Sequence, residues 1–341
     1  MSRIALLPSR GDPFTLMLTW YFFENVWQDE VDKLLINVNS PEEIEVVNFI
    51  KKYTAHPKVV FSYTDHPTDH GPALTKMFKE STGEIVVFVE DDSIIFKKGL
   101  VDQYCKSIEE KTTDCVGSLR WCCTGELIDR ERVMFGLLDD KYLPGGNFWP
   151  CFFFARRSDL AKTNLHFAGK NWKAGEHIEA VHWITPVDIA SDTFVWMSMQ
   201  LRDLGLKFTE VEQYHGNSGD IGCYENKTFL FDGNCGWLHN GTLSSAIEDI
   251  LTDDNDIPLA RRKDSSAAKY QALTMPAEKE ELERRLSWGL LAYRQFKDKF
   301  DDIAEFRDLY GKAIEKYINR FNLDRNRIDR SIKIYKELIG L

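Results

Sequence analysis

Thr82-Gly-Glu-Ile-Val-Val-Phe-Val-Glu-Asp-Asp-Ser-Ile-Ile-Phe96 is the stretch that decides the fold. Its segment Glu84-Ile-Val-Val-Phe-Val89 is, after Glu84, a continuous β-branched and aromatic run, the pattern of a strand buried on both faces. Three carboxylates follow without a break, Glu90, Asp91 and Asp92, and apolar residues resume at Ile94. Adjacent carboxylates repel one another and resist desolvation, so something must compensate them. Two readings are open from these residues: a solvated acidic turn, or a seat for a hard divalent cation with positions left for phosphate oxygens.

Working back toward the amino terminus, strand and helix signals alternate. Residues 3–8, 33–38 and 58–63 read as short apolar strands. Between them lie a helix from Phe14 to about Trp27 and one that begins at Ser40-Pro-Glu-Glu43, with Ser as cap and Pro at the first helical position. A third helix runs from Gly71 to Ser81. Alternation at this spacing predicts an α/β fold, a mostly parallel sheet flanked by helices. Ligands on such sheets sit beyond the carboxyl ends of the strands, which is where Glu90 to Asp92 fall.

Toward the carboxyl terminus the pattern is less regular. Short strands are expected at 115–121, 149–156 and 206–212, and Asp192 to Leu204 has helical apolar spacing. Residues 252–266 carry an acidic run, a proline and Arg261-Arg-Lys263, a linker or exposed loop. From Pro276 onward, two or three amphipathic helices follow, with Leu282, Leu286, Leu290, Tyr293 and Phe296 near helical spacing. The expected organisation is a catalytic unit over 1–250 (halves 1–100 and 101–250), a linker over 251–275 and a helical region over 276–341.

The chain has 341 residues, 43% hydrophobic and 28% charged, which excludes a disordered or fibrous protein. A net charge of −11 argues against non-specific nucleic-acid binding as the main activity. No apolar run reaches the ~18–20 residues of a membrane span, and the opening residues make a poor signal peptide. Seven cysteines without a paired zinc spacing suggest reduced thiols and a cytoplasmic location.

The first hundred residues resemble the GT-A nucleotide-sugar glycosyltransferases, most closely the large inverting family 2. Leu6-Leu-Pro-Ser-Arg10 resembles that family's first strand and its nucleotide-contacting turn, which implies donor contacts from Pro8, Ser9 and Arg10. Ile36-Asn-Val-Asn-Ser40 occupies the place of the base-reading turn, implying Asn37 and Asn39. Gly71-Pro-Ala-Leu-Thr-Lys76 resembles the segment beside the diphosphate, implying Gly71 and Lys76. The run ending at Glu90-Asp-Asp92 resembles the metal-binding Asp-x-Asp motif, with Glu90 in place of its first Asp. The resemblance implies Asp92 as ligand of Mn²⁺ or Mg²⁺, Asp91 as ligand or support, and Glu90 on the ribose or on a metal-bound water. A late histidine often completes the set, and His239 in Trp-Leu-His-Asn-Gly is favoured over His215.

Inverting transfer needs a base for the acceptor hydroxyl. The resemblance points to Asp192 in Ala190-Ser-Asp-Thr-Phe-Val195, with Asp188 as runner-up; a simple helix cap is the competing reading. Trp149-Pro-Cys-Phe-Phe-Phe-Ala155, preceded by Gly145 and Gly146, resembles the strand beneath the sugars. Trp121, Trp172, Trp183 and Trp237 could stack on sugar faces or fill the core. Arg261-Arg-Lys263 reads as a solvated charge run or as a loop that closes over the diphosphate.

The implied activity is metal-dependent transfer of a sugar from a nucleoside-diphosphate donor to an acceptor hydroxyl, uridine being the family's commonest base. The acceptor stays open among a glycan, a protein and a modified nucleic-acid base. The competing enzyme reading is a sugar-phosphate nucleotidyltransferase, which would release pyrophosphate; Pro8-Ser-Arg-Gly-Asp-Pro13 is poor in the glycines such enzymes use there. The non-enzymatic reading is a carbohydrate-binding or scaffold protein. The C-terminal helices could dock on the core, form a homo-oligomer or recruit the acceptor.

Overall fold

The computed structural model describes residues 1–9, 12–39, 44–64, 68, 70–120, 123–124, 147–179, 183–184, 189–191, 193–211, 230–232, 236–239 and 279–341. Its strands are β1 (Arg3–Ser9), β2 (Lys33–Val38), β3 (Val59–Tyr63), β4 (Ile85–Val89), β5 (Ser93–Ile95), β6 (Cys115–Arg120), β7 (Cys123–Thr124), β8 (Asn147–Arg156), β9 (Asn171–Trp172), β10 (His177–Ile178), β11 (Trp183–Ile184), β12 (Ile189–Ser191), β13 (Phe208–Glu210), β14 (Leu230–Asp232) and β15 (Trp237–His239). Its α-helices are α1 (Pro13–Phe22), α2 (Ile44–Tyr53), α3 (His70–Glu80), α4 (Leu100–Glu109), α5 (Arg157–Leu160), α6 (Val195–Asp203), α7 (Lys279–Phe296), α8 (Ala304–Arg320) and α9 (Arg325–Ile339). A single π-helical turn, Phe23–Trp27, extends α1.

Seven strands make one sheet in the order β13-β6-β8-β4-β1-β2-β3. The strands β4, β1, β2 and β3 run parallel, as do β13 and β6, and β8 alone is antiparallel to both of its neighbours. The expected α/β class with a mostly parallel sheet and C-terminal helices is therefore what the chain forms. The apolar run of β4 is buried along its whole length. Its side chains alternate between two cores: Ile85, Val87 and Val89 join one, Val86 and Phe88 the other. The first core lies under α1, α2, α4 and the C-terminal helices; the second lies under α3 and α6.

Register sets the working edge. Ser9 pairs with Val38, so β1 and β2 end together, whereas β1 runs on past Leu6, its last residue paired with β4, at Phe88. After the acidic turn the chain leaves this sheet as β5. There it pairs antiparallel with β15, which in turn pairs with β14. Two further small ladders are β10–β11 and β7–β12–β9.

Two helices had no sequence expectation, α4 and the short α5. The α4 helix has Gly99 at its N-cap and no side-chain cap of its own. Glu30 caps it from a distance, accepting from the Gly99 and Asp102 amides at 2.6 and 2.9 Å. A cap supplied 69 residues away leaves no local signal.

The C-terminal helices dock on the first helix rather than standing apart. The Phe14 ring, with no exposed surface, stacks on Phe300 at 4.1 Å and lies 4.5 Å from the Tyr310 ring and 5.1 Å from that of Tyr293. Leu286, Trp288, Tyr310, Tyr317 and Tyr335 belong to the same buried cluster as Leu7, Val87 and Trp27. Lys52 of α2 pairs with Asp302 across this junction. The expected linker at 251–275 lies outside the described residues.

Candidate functional site

The acidic turn stands at the carboxyl end of β4, the strand flanked by β1 and β8. Asp91 and Asp92 are each only 5% exposed, so this is no solvated turn. The backbone of the turn is held from below: Thr19 Oγ1 donates to the Asp91 carbonyl at 2.6 Å, and the Ser93 amide donates to the Glu90 carbonyl at 3.0 Å. Glu90 points toward the start of α3, where His70 Nε2 lies 3.4 Å from its Oε1. A helix start beside a carboxylate favours its negative charge.

The sheet brings a distant residue to this turn. In the antiparallel pairing of β5 and β15, His239 is the register partner of Ser93, immediately after Asp92. Trp237, two residues earlier, is fully buried and stacks on Phe152 at 4.8 Å. That anchor fixes the register of β15. Ser93 Oγ is buried and has no hydrogen-bond partner among the described residues. Buried carboxylates beside an unpartnered hydroxyl oxygen form a hard-oxygen donor set suited to Mn²⁺ or Mg²⁺. The described residues contain no group of three His, Cys, Asp or Glu arranged as a complete cage. A cation that binds together with substrate phosphates needs only one or two protein carboxylates.

The β1 end of the edge is equally fixed. Ser9 is buried, and its carbonyl accepts from the Asn39 amide at 2.8 Å. Asn39 Oδ1 accepts from Thr64 Oγ1 at 2.8 Å and from the Thr68 amide at 2.9 Å, so this side chain organises the loop after β3. Its Nδ2 also donates to the Thr68 carbonyl.

Past Ser9, α1 begins at Asp12. The Asp12 carboxylate accepts four bonds: Phe14 N at 2.9 Å, Thr15 N at 3.3 Å, Thr15 Oγ1 at 3.1 Å and Tyr310 Oη at 3.0 Å. Burial pushes its pKa up, and these donors oppose the shift. Burial and the nearby Asp12 charge drive the Tyr310 phenol well above its ordinary value.

Two of the expected donor contacts change meaning. Asn37 has no exposed surface and accepts from Ser62 Oγ at 2.9 Å inside the β2–β3 pairing, so it cannot touch a base from there. Asn37 shares the face of Leu35, which packs into the core under α3, whereas Asn39 lies just past the strand. At Gly71 a Cβ would come 2.1 Å from Ala168 Cα, so the missing side chain serves close backbone packing of α3. Lys76 lies farther along α3 and pairs with Glu80 at 3.7 Å.

Trp172 and Trp237 are 1% and 0% exposed, which makes them core residues rather than sugar platforms. The β12 strand ends at Ser191 and pairs with β7 and β9. Asp192 follows it directly. Arg10, Trp121, Gly145, Gly146, Asp188, Asp192, His215 and Arg261 to Lys263 lie outside the described residues, and of Trp149, Trp183 and His239 only the backbone is described.

Sequence reading missed Asp12, Thr15, Thr19, His70 and Ser93. The first three had a legible signal: an Asp, then Thr at i+3 and i+7, puts three polar groups on one face of an otherwise apolar helix.

No known family profile matches the sequence, and no curated protein does. Among solved structures the chain is similar to residues 1–349 of TarS from S. aureus, with a TM-score of 0.41 and 13% identity over 100% of this chain and 92% of that one. The same TarS fragment in complex with UDP-GlcNAc has a TM-score of 0.40 and 12% identity over 95% and 93% of the two chains. A mannosyltransferase, PcManGT from Pyrobaculum calidifontis in complex with GDP-Man and Mn²⁺, has a TM-score of 0.43 and 10% identity over 98% and 86%.

Proposed function

We propose that the chain is a glycosyltransferase that moves a sugar from a nucleoside-diphosphate donor to an acceptor hydroxyl. One observation carries the reading. A buried acidic turn ends the central parallel strand, and the β5–β15 register sets His239 opposite its flank.

In this proposal Asp92, supported by Asp91 and with His239 as a further ligand, holds Mn²⁺ or Mg²⁺ against the donor diphosphate. Bound there, the cation supplies Lewis-acid stabilisation of the leaving nucleoside diphosphate. Pro8 and Ser9, at the end of β1, and Arg10 after them line the nucleotide, and the loop organised by Asn39 borders the base. Glu90, held by His70, contacts the ribose. Asp192, placed just past β12, takes the proton of the acceptor hydroxyl as the sugar transfers with inversion. A uridine base is the expectation from the family resemblance.

The test is a thermal-shift screen of UDP, GDP and their common sugar conjugates, each with Mn²⁺ and with EDTA. A ligand that binds only the native state raises the apparent stability by about 2.7 kcal/mol at 100 times its dissociation constant. Wild-type protein gives a metal-dependent shift, and Asp92→Asn loses that dependence while staying folded. A shift that persists unchanged in Asp92→Asn removes the acidic turn from the donor site.

A further inference from the structure

We infer that Tyr310, on the C-terminal helix α8, is a positioning residue of the donor site that acts through α1. This deepens the proposed function and rests on it. Tyr310 is 1% exposed and its hydroxyl donates to Asp12 Oδ2 at 3.0 Å across 298 positions of sequence. Asp12 is the N-cap of α1, and through Phe14 and Thr15 it closes the helix's first turn. On the same face two turns further on, Thr19 donates to the Asp91 carbonyl at 2.6 Å. One helix therefore carries both halves of the candidate site. Its first residues continue the nucleotide-facing segment after Ser9, and its seventh residue grips the acidic turn.

The seat of that helix comes from the C-terminal region. The Tyr310 ring packs against Phe14 while its hydroxyl completes the bonding of Asp12, and Phe300 stacks on the same Phe14 ring. A buried carboxylate filled by four donors has one preferred placement. With the Tyr310 hydroxyl gone, Oδ2 keeps only Thr15 Oγ1 as a partner among those four. The start of α1 then loses its fixed height relative to β1. Thr19 transmits that looseness to the turn that bears Asp91 and Asp92.

The experiment compares Tyr310→Phe with Ile332→Val in the full-length chain. Ile332 is buried in α9 and belongs to the same core, so its variant reports general loss of packing. Titration calorimetry with UDP and with GDP, each in saturating Mn²⁺, gives affinity; urea midpoints give stability. The expected result is a drop of about fivefold or more in diphosphate affinity for Tyr310→Phe, the factor that corresponds to one kcal/mol. Ile332→Val loses stability but keeps wild-type affinity. The Mn²⁺ concentration for half-maximal binding also rises in Tyr310→Phe alone. Wild-type affinity in Tyr310→Phe, or an equal loss in both variants, overturns the positioning role while leaving the donor site intact. Wild-type protein that binds neither diphosphate overturns the donor site and this role with it.

Discussion

Replacing Thr19 by Val removes one hydroxyl from a fully packed position and adds almost no volume. Thr19 is 1% exposed, and its hydroxyl donates to the Asp91 carbonyl at 2.6 Å. A buried carbonyl deprived of its donor costs about 1–3 kcal/mol. Set against a total stability of about 5–15 kcal/mol, this leaves the protein folded. The acidic turn, however, relaxes toward water or another donor. Returning it to its binding geometry then draws about 1–2 kcal/mol from ligand affinity, a factor of about 5–30 in the dissociation constant. Urea titration measures the first quantity, and calorimetry with nucleoside diphosphate and Mn²⁺ measures the second. Thr19→Ser keeps the hydroxyl and retains wild-type affinity. A Thr19→Val protein that loses stability by the stated amount yet binds diphosphate as tightly as wild type would refute the link between α1 and the turn.

Two further outcomes concern the scaffold. Gly71→Ala forces a Cβ to within 2.1 Å of the Ala168 backbone, whereas at Gly99 (φ +87°) a Cβ meets open space and only the backbone strain counts. Gly71→Ala therefore loses more stability than Gly99→Ala, whose cost is about 1–2 kcal/mol, and equal urea midpoints would contradict the α3 packing. The second outcome is a pH dependence. The Asp114 carboxyl is held below its ordinary 3.8, first by the Lys207 backbone amide and then by Arg156. For a depressed carboxylate, the unfolded chain binds more protons, so the stabilisation is present above the ordinary value and is lost as pH falls through the lower folded value. Melting temperature recorded downward from about pH 5 should fall more steeply for wild type than for Asp114→Asn; parallel curves would mean that Asp114 contributes nothing to acid stability.

Much of the sheet was readable because its strands are buried on both faces. The runs at 33–38 and 84–89 are so apolar that no other reading competes, and the structure places strands at Lys33–Val38 and Ile85–Val89. What escaped was every feature whose cause lies elsewhere in the chain. The α4 helix takes its cap from Glu30. The bond that ties Asp12 to Tyr310 leaves no local trace, because its partner lies in a helix 298 positions away. The pairing of β5 with β15 has no signature at Ser93-Ile-Ile95 beyond a short apolar triplet. Asn37 was misplaced for a different reason. A polar residue near a strand end suggests a ligand contact, yet both faces of β2 are covered at Asn37, and only burial reveals that. Gly71 carried a true signal of close approach, but the approach is to Ala168.

The junction between α1 and the C-terminal helices also sets an order of events during synthesis. Phe14 and Phe300 are 286 positions apart, and at a ribosome pace of 5–20 residues per second the first waits about 15–60 s for the second. Throughout that interval the face of α1 that carries Phe14 and Tyr21 has nothing from residues 279–341 to cover it. Because the Asp12 carboxylate takes one of its four bonds from Tyr310 of α8, the nascent chain can pair its amino-terminal strands early but completes the seat of α1 only after α8 has been made. The protein therefore presents chaperones with a client whose first described helix waits for a distant one before it becomes native.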